Sequence, residues 1–144
     1  MKQVKIMKLK PDAILPTHGS AGAAGWDLYA NRAATIYPGD KEMIGTGLAM
    51  AIPFGYEGEI RPRSGMACKK GLRPANTPGT IDCDYRGEII VCLHNDSPFP
   101  QTIEKGDRIA QILFKEVPQF ELIEVDELDE TERSDGGFGS TGEK

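Results

Sequence analysis

The sequence predicts an all-β fold, and three observations predict it. Seventeen glycines and ten prolines are spread through the 144 residues and punctuate them at short intervals. The apolar runs between those breakers are of strand length, and several alternate or are β-branched. No segment of a dozen residues holds a 3.6-residue period without interruption. In order, the predicted strands are Val4–Leu9, Trp26–Tyr29, Met43–Met50, Tyr56–Arg61, Glu88–Leu93, Arg108–Phe114 and Phe120–Val125. Ser64–Lys70 is the one short-helix candidate, closed by Gly71. Asn76–Ile89 reads as a hairpin, with a turn around Thr77-Pro78-Gly79, a strand, and a second turn near Asp84–Gly87. Many short strands with frequent turns make a barrel or sandwich. The length suits one domain, and there is no internal repeat. The organisation expected is a body over 1–125 and an arm over 126–144. In the arm, DELDETERSD is charged and nearly free of apolar residues, too poor in them to offset the entropy of ordering.

Charge narrows the function classes. The net charge of −5 hides an asymmetry: nine acids and two bases fall between Gln119 and Lys144, leaving the rest slightly basic. A nucleic-acid binder would show a basic stripe interleaved with aromatics, so no nucleic-acid partner is expected. A mildly basic body does suit a small anionic ligand. The start, MKQVKIMKLK, has no apolar core of signal-peptide type, and no run approaches a membrane span. A soluble, cytoplasmic protein without a membrane partner is expected. Cys68, Cys83 and Cys92 form no C-x-x-C pair, which predicts reduced thiols acting as small buried hydrophobes. Asn95-Asp96-Ser97 fits a glycosylation sequon that has no meaning without secretion.

Five stretches carry chemistry. In Ala24–Ala30, AGWDLYA, Asp27 interrupts an apolar strand. It is either a strand-end acid or a buried carboxylate that needs an arginine or metal-water partner. In RPRSGMA, Arg63 offers a guanidinium fork for phosphate oxygens, Ser64 a hydroxyl and helix cap, and Gly65 close backbone approach. In NTPGTIDCDYRGEI, Asn76 can present a donor and an acceptor to a base edge. Asp82 lies at a strand end, a suitable place for a general base holding a water. Tyr85 offers a flat ring, while Asp84 and Arg86 are expected to pair with each other. In GDRIAQILF, Gln111 can donate its amide to a phosphate or be satisfied by backbone, and Asp107–Arg108 reads as a structural ion pair.

The fifth stretch, RSDGGFGSTG, poses a puzzle. Gly137–Gly142 has the G-x-G-x-x-G spacing of a dinucleotide loop, yet that loop needs a helix after it and only two residues follow here. The Walker pattern fails because Glu143 stands where lysine is required. What the stretch does offer is a cation at Arg133, flexible backbone donors, hydroxyls at Ser140 and Thr141, and Phe138 as an isolated stacking face. A flexible arm ending in phosphate chemistry suggests a lid. Together the five stretches supply the parts of a nucleoside triphosphate site without a P-loop.

In this order the stretches resemble the five motifs of the homotrimeric deoxyuridine triphosphatase (dUTPase) family: AGWDL, PRSGMA, GTIDCDYRGEI, RIAQILF and RSDGGFGSTG, from about Ala24 to Gly142. The resemblance implies a jelly-roll-like β-barrel of the β-clip kind, assembled as a homotrimer whose active sites are shared between subunits. It implies hydrolysis of dUTP to dUMP and pyrophosphate, which keeps uracil out of DNA and supplies dUMP for dTMP synthesis. Mg²⁺ would be held by the triphosphate and waters, with no direct side-chain ligand. Asp82 would deprotonate the attacking water. Asn76, Gly79, Thr80, Ile81 and Ile90 would read uracil, and Tyr85 would pack on the deoxyribose. Arg63, Ser64, Gly65 and Gln111 would hold phosphates. Arg133, Gly139, Ser140 and Thr141 would close over the γ end with Phe138 over the base, and Asp27 would support the metal waters. The lid would act on a neighbouring subunit, so its glycines need no following helix. Ser134 stands where the family usually has glycine, which predicts a slightly stiffer lid. Two other readings are a nucleotide-sensing regulatory protein on the same fold and a dCTP deaminase relative.

Overall fold

The computed structural model describes residues 1–142; Glu143, with its place in the failed Walker pattern, and Lys144 lie outside the described residues. Eleven strands form: β1 Lys5–Lys8, β2 Thr17–His18, β3 Trp26–Tyr29, β4 Ala34–Ile36, β5 Lys41–Ala51, β6 Tyr56–Arg61, β7 Leu72–Pro74, β8 Gly79–Ile81, β9 Glu88–Asn95, β10 Gln101–Ile103 and β11 Arg108–Glu116. They make a four-stranded sheet in the order β1-β5-β9-β7, a five-stranded sheet β2-β3-β11-β6-β8, and the pair β10-β4. Every pairing is antiparallel. The arrangement is all-β and jelly-roll-like, as expected.

Alternation builds the core. Along β9, Ile89, Val91, Leu93 and Asn95 are buried while the residues between them face outward. Ile89, Val91 and Leu93 meet Leu28, Ile44, Ile60, Ile109 and Ile112, which come from both large sheets, in one cluster. Each such side chain removed from water contributes about 1.5–3 kcal/mol. Asn95 is the buried exception, and it is fully satisfied. Its amide donates to the carbonyls of Ile36 (2.8 Å) and Phe99 (2.7 Å) and its oxygen accepts from the Ser97 amide (2.9 Å). It staples the end of β9 to the loop that follows.

Several expectations change. Phe120–Val125 is no strand: among the described residues no strand follows Glu116, the last backbone bond to the body being Val117 N to Gly55 O at 2.9 Å, and Phe120 and Leu122 are 84% and 96% exposed. A strand needs a partner edge, and the chain's own body supplies none. Asn76–Ile89 is no simple hairpin, because β8 pairs with β6 and β9 pairs with β5 and β7, in different sheets. The segment is therefore a corner between the sheets. Residues 64–70 are helical, with π-type bonding over Met66–Lys70 and Gly71 closing it at φ 68°. Ser64 does not cap it; Gly65 occupies that place without a side-chain bond. All three cysteines are free, but Cys68 is exposed on this helix and Cys83 and Cys92 are only half-buried. No helix among the described residues is long and apolar enough to cross a membrane.

Candidate active site

β6 links two clefts. Its pairing with β8 sets Ile60 opposite Gly79, and this opens a small cleft lined by Asn76, Gly79, Thr80, Ile81 and Ile90, with Pro74 and Cys92 beside them. The space at Gly79 is tight. A Cβ on it would stand 3.2 Å from the Ile60 side chain and 3.4 Å from the Asn76 carbonyl, and the Asn76 amide nitrogen folds over the same point at 3.6 Å. All five residues expected to read a base thus line one cleft. The backbone amides and carbonyls of an edge strand, β8, lie along it beside the Asn76 amide, the donor and acceptor set that a pyrimidine edge needs.

Asp82 follows β8 directly, with its side chain exposed. Its carbonyl accepts the Tyr85 amide at 3.1 Å, which closes the turn. Tyr85 is 43% exposed, and its hydroxyl donates to the Glu88 carbonyl at 2.9 Å. The ring lies against Gly87, where a Cβ would collide with it. Asp84 and Arg86 do not pair. Arg86 instead donates to the carbonyls of Cys83 (2.7 Å) and Tyr85 (2.8 Å), which spends its charge on shaping the loop.

Beyond β6 the chain turns through Arg63, Ser64 and Gly65 into the second cleft, of about 210 Å³, which Asp27, Arg108 and Gln111 also line. Asp27 is only 8% exposed and takes Arg63 Nε at 2.9 Å on one oxygen and an Arg108 nitrogen at 3.4 Å on the other. This is the arginine partnership its burial demands. Arg108 therefore does not pair with Asp107, whose carboxylate accepts the Glu104 amide at 2.9 Å. The register between β11 and β3 shifts between Arg108 and Ala110, and such irregularities re-aim side chains. Arg108 is the site residue that sequence reasoning missed. Gln111 sits opposite both Asp27 and Arg61, in the middle of the sheet. Its amide donates to the Pro62 carbonyl at 2.9 Å, the backbone-satisfied alternative, and a second amide hydrogen is left over. Gly25 is needed because a Cβ there would collide with the Gln111 amide oxygen.

With one carboxylate, Asp27, against two arginines, Arg63 and Arg108, this cleft keeps a net positive charge. Among the described residues, no three His, Cys, Asp or Glu side chains gather as a metal-binding group. The one buried carboxylate, Asp27, has both oxygens engaged by arginines. Such a donor set suits a metal that arrives with its own phosphate and water ligands, not one caged by the protein.

The arm stands apart. Arg133, Phe138, Gly139, Ser140 and Thr141 line neither cleft. They form successive turns, closed by Gly136 N to Arg133 O (3.0 Å), Ser140 N to Gly137 O (3.0 Å) and Gly142 N to Gly139 O (2.9 Å). Arg133 Nε donates to the Gly136 carbonyl at 2.8 Å. Ser134 and Phe138 both sit at φ 48°, a conformation that favours glycine. Phe138 has no packing partner, at 113% exposure.

Known proteins share this chain's sequence and fold. The dUTPase family matches residues 11–142. The deoxyuridine 5'-triphosphate nucleotidohydrolase of Nautilia profundicola is 54% identical, over 97% of this chain and 99% of its own length. That of Corynebacterium glutamicum is 50% identical, over 96% and 94%. Among solved structures, a variant of the dUTPase of Staphylococcus bacteriophage 80alpha, in complex with dUpNHpp, superposes with a TM-score of 0.89 at 26% identity, covering 99% of both chains. A dUTPase of phage phi11 of S. aureus, described with a structural Mg(II) ion, shares the fold at TM-score 0.81 and 23% identity, over 90% of this chain and 100% of that one. By the match across most of its length and by these full-length relatives, the chain belongs to the dUTPase family.

Proposed function

We propose that the protein hydrolyses dUTP to dUMP and pyrophosphate, with Mg²⁺ accompanying the triphosphate. The observation that carries this reading is the convergence of Asn76, Gly79, Thr80, Ile81 and Ile90 on one small cleft, with Asp82 and Tyr85 on the loop that leaves it. In this reading the hairpin-like corner pairs with uracil. The amino group of cytosine would face a donor, and a buried donor left without an acceptor discriminates strongly. Tyr85 lies against the deoxyribose and leaves no room for a 2′-hydroxyl. Arg63, Ser64, Gly65 and Gln111 hold phosphates, and Arg108 adds charge to the same cleft.

Asp82 accepts a proton from the water that attacks the α-phosphorus. The bond from that phosphorus to the bridging oxygen of the β-phosphate breaks, and pyrophosphate leaves. The metal, when bound, neutralises charge on the phosphate oxygens. Asp27 holds Arg63 and Arg108 in place, and its remaining lone pairs would be available to waters of a bound metal.

The remaining proposals concern assembly. Residues 1–125 form the catalytic body and 126–144 the lid. Arg133, Gly139, Ser140 and Thr141 grip the distal phosphates, and Phe138 covers the base, on a neighbouring subunit of a homotrimer. Two observations support an arm working in trans. It lines neither cleft of its own chain, and Phe120, Leu122, Ile123 and Val125 expose an apolar run with no partner on the body. A reaction on the free nucleotide pool would suit a cytoplasmic protein.

The test is pyrophosphate release, with Mg²⁺, from dUTP, dCTP, dTTP and UTP in parallel. Release from dUTP alone is expected. Asp82→Asn should lower it by about 10²–10⁴-fold, the usual contribution of a general base. Ammonia release from dCTP would point to a deaminase instead. Binding of dUTP without turnover would point to a regulatory protein.

A further inference from the structure

Glu88 is held in a way its place on a strand does not require. β5 and β9 pair regularly from Lys41↔His94 to Gly45↔Ile90, and then the register jumps to Ala49↔Glu88. The extra residues of β5 form a bulge, with Gly47 at φ 71°. A bulge leaves backbone groups without ladder partners, and two side chains supply them here. Glu88 Oε1 accepts the Gly47 amide at 2.9 Å, and the Thr46 hydroxyl donates to the Ile89 carbonyl at 2.7 Å. Thr46 is 1% exposed. The Glu88 carboxylate lies so close that a Cβ on Gly45 would stand 2.8 Å from it. Glu88 is thus fixed through its side chain, and the next peptide through its carbonyl.

The carbonyl of Glu88 is the acceptor for the Tyr85 hydroxyl, at 2.9 Å. Below the ring is Gly87, where no larger residue fits. A ring that excludes a hydroxyl by contact works only if it cannot recede. An exposed tyrosine with two soft torsions would yield. Here its far end is tied to a peptide that the β5 bulge holds from the opposite strand. We infer that Glu88 is a positioning residue for Tyr85, and through it a determinant of selectivity for a deoxyribose over a ribose. The inference rests on the function proposed above and adds a residue that touches no substrate.

The test uses the full-length protein. kcat/KM is measured for dUTP and UTP, and binding for dUMP and UMP, in the wild type, Glu88→Gln, Glu88→Asp, Glu88→Ala, Tyr85→Phe and the double variant Glu88→Ala/Tyr85→Phe. Glutamine keeps an acceptor for Gly47 and should keep the dUTP/UTP ratio. Alanine removes it and should lower the ratio by about tenfold, the scale of one small group in a pocket. A merely structural role would move both substrates together. Tyr85→Phe should lower the ratio similarly, and the double variant should add little, because the two act through one bond. Aspartate is too short to reach Gly47, keeps the charge, and serves if the alanine variant does not fold. A ratio unchanged in the alanine or aspartate variant while Tyr85→Phe lowers it overturns the inference and leaves the proposed function standing. An unchanged ratio in Tyr85→Phe overturns it too. A wild type that neither binds nor hydrolyses a deoxyuridine nucleotide removes the proposed function, and this inference with it.

Discussion

The clefts and the arm both use glycines, and most of those glycines do opposite things. Around the cleft and the phosphate corner, Gly79, Gly25 and Gly87 have no side chain because something already fills the space: Ile60 and Asn76, the Gln111 amide, the Tyr85 ring. In the arm, a Cβ on Gly137, Gly139 or Gly142 would meet nothing within 4 Å, as on Gly65 of the phosphate corner; Gly136 alone of the arm glycines is crowded, 2.8 Å from the Ser140 hydroxyl. Gly139 and Gly142 are used for turns at φ 85° and 100°. The first set serves packing in a register-locked sheet. The second serves conformational freedom in a segment that gains its contacts elsewhere. One residue type therefore marks preorganisation in one region and deferred order in the other.

Cutting the arm is the strongest way to break that comparison. Removing Arg133–Lys144 should lower turnover at least about 10²-fold, by loss of an arginine and its phosphate donors. Binding of dUMP should change little, because without the distal phosphates it does not repay ordering the arm, and the thermal midpoint should change little, because no arm residue up to Gly142 belongs to the core cluster. Comparable turnover by the truncated protein would sink the lid. The converse change is Ile112→Ala in β11, at 0% exposure. It should cost about 2–5 kcal/mol in denaturant unfolding, the usual range for such a deletion.

Acid separates the regions more gently. Hydrogen bonds from Arg73 hold the Asp96 carboxyl below its ordinary range, those from Arg61 and Lys115 do so for Glu59, and those from Lys105 and Asn31 for Asp12. A carboxyl depressed in the folded state adds stability that is present above its unfolded value and is lost as pH falls through its folded one. The body should therefore lose stability below the ordinary values of 4.5 for Glu59 and 3.8 for the aspartates. The Asp12 and Asp96 pairs are exposed, and Glu59 is half-buried with partners that reach solvent, so the loss should be shallow and smaller still in high salt. A midpoint that rises on acidification would contradict the assignment. The smallest effect belongs to Ser134→Gly. Serine at φ 48° costs about 1 kcal/mol relative to glycine in the left-handed region, which the substitution would relieve. Faster arm motion in nuclear magnetic relaxation, with a turnover change under about fivefold, is expected; no change in either would show that Ser134 is neutral.

What the sequence disclosed follows the same division. The strands Trp26–Tyr29 and Tyr56–Arg61 were legible to the residue, and β9 nearly so, because alternation over a half-buried face is a local signal. β2, β4, β7 and β10 are two or three residues long, too short to show a period. Pairing was the larger loss. That β8 joins β6 while β9 joins β5, or that Phe120–Val125 finds no edge, depends on distant residues. In the candidate site, Asn76 to Ile81 stood out because an edge strand brings its own neighbours together. Arg108 did not, since the irregularity that turns it to Asp27 lies in the register between two strands and leaves no trace beside Asp107. Glu88 was hidden for the same reason: the groups it serves lie 41 residues away.

The buried Asn95 has a practical consequence for anyone who makes this protein by export. Its amide is fully enclosed and spends every hydrogen bond on Ile36, Phe99 and Ser97, yet Asn95-Asp96-Ser97 is a glycosylation acceptor sequence. A eukaryotic secretory host adds glycans while the chain is still unfolded. A sugar on that nitrogen could not enter the sheet, so every modified copy would be trapped short of the native state. Ser97→Ala would abolish the signal and keep the direct bond from the Ser97 amide to Asn95, at the cost of the hydroxyl's bonds to Phe99 and Gln101.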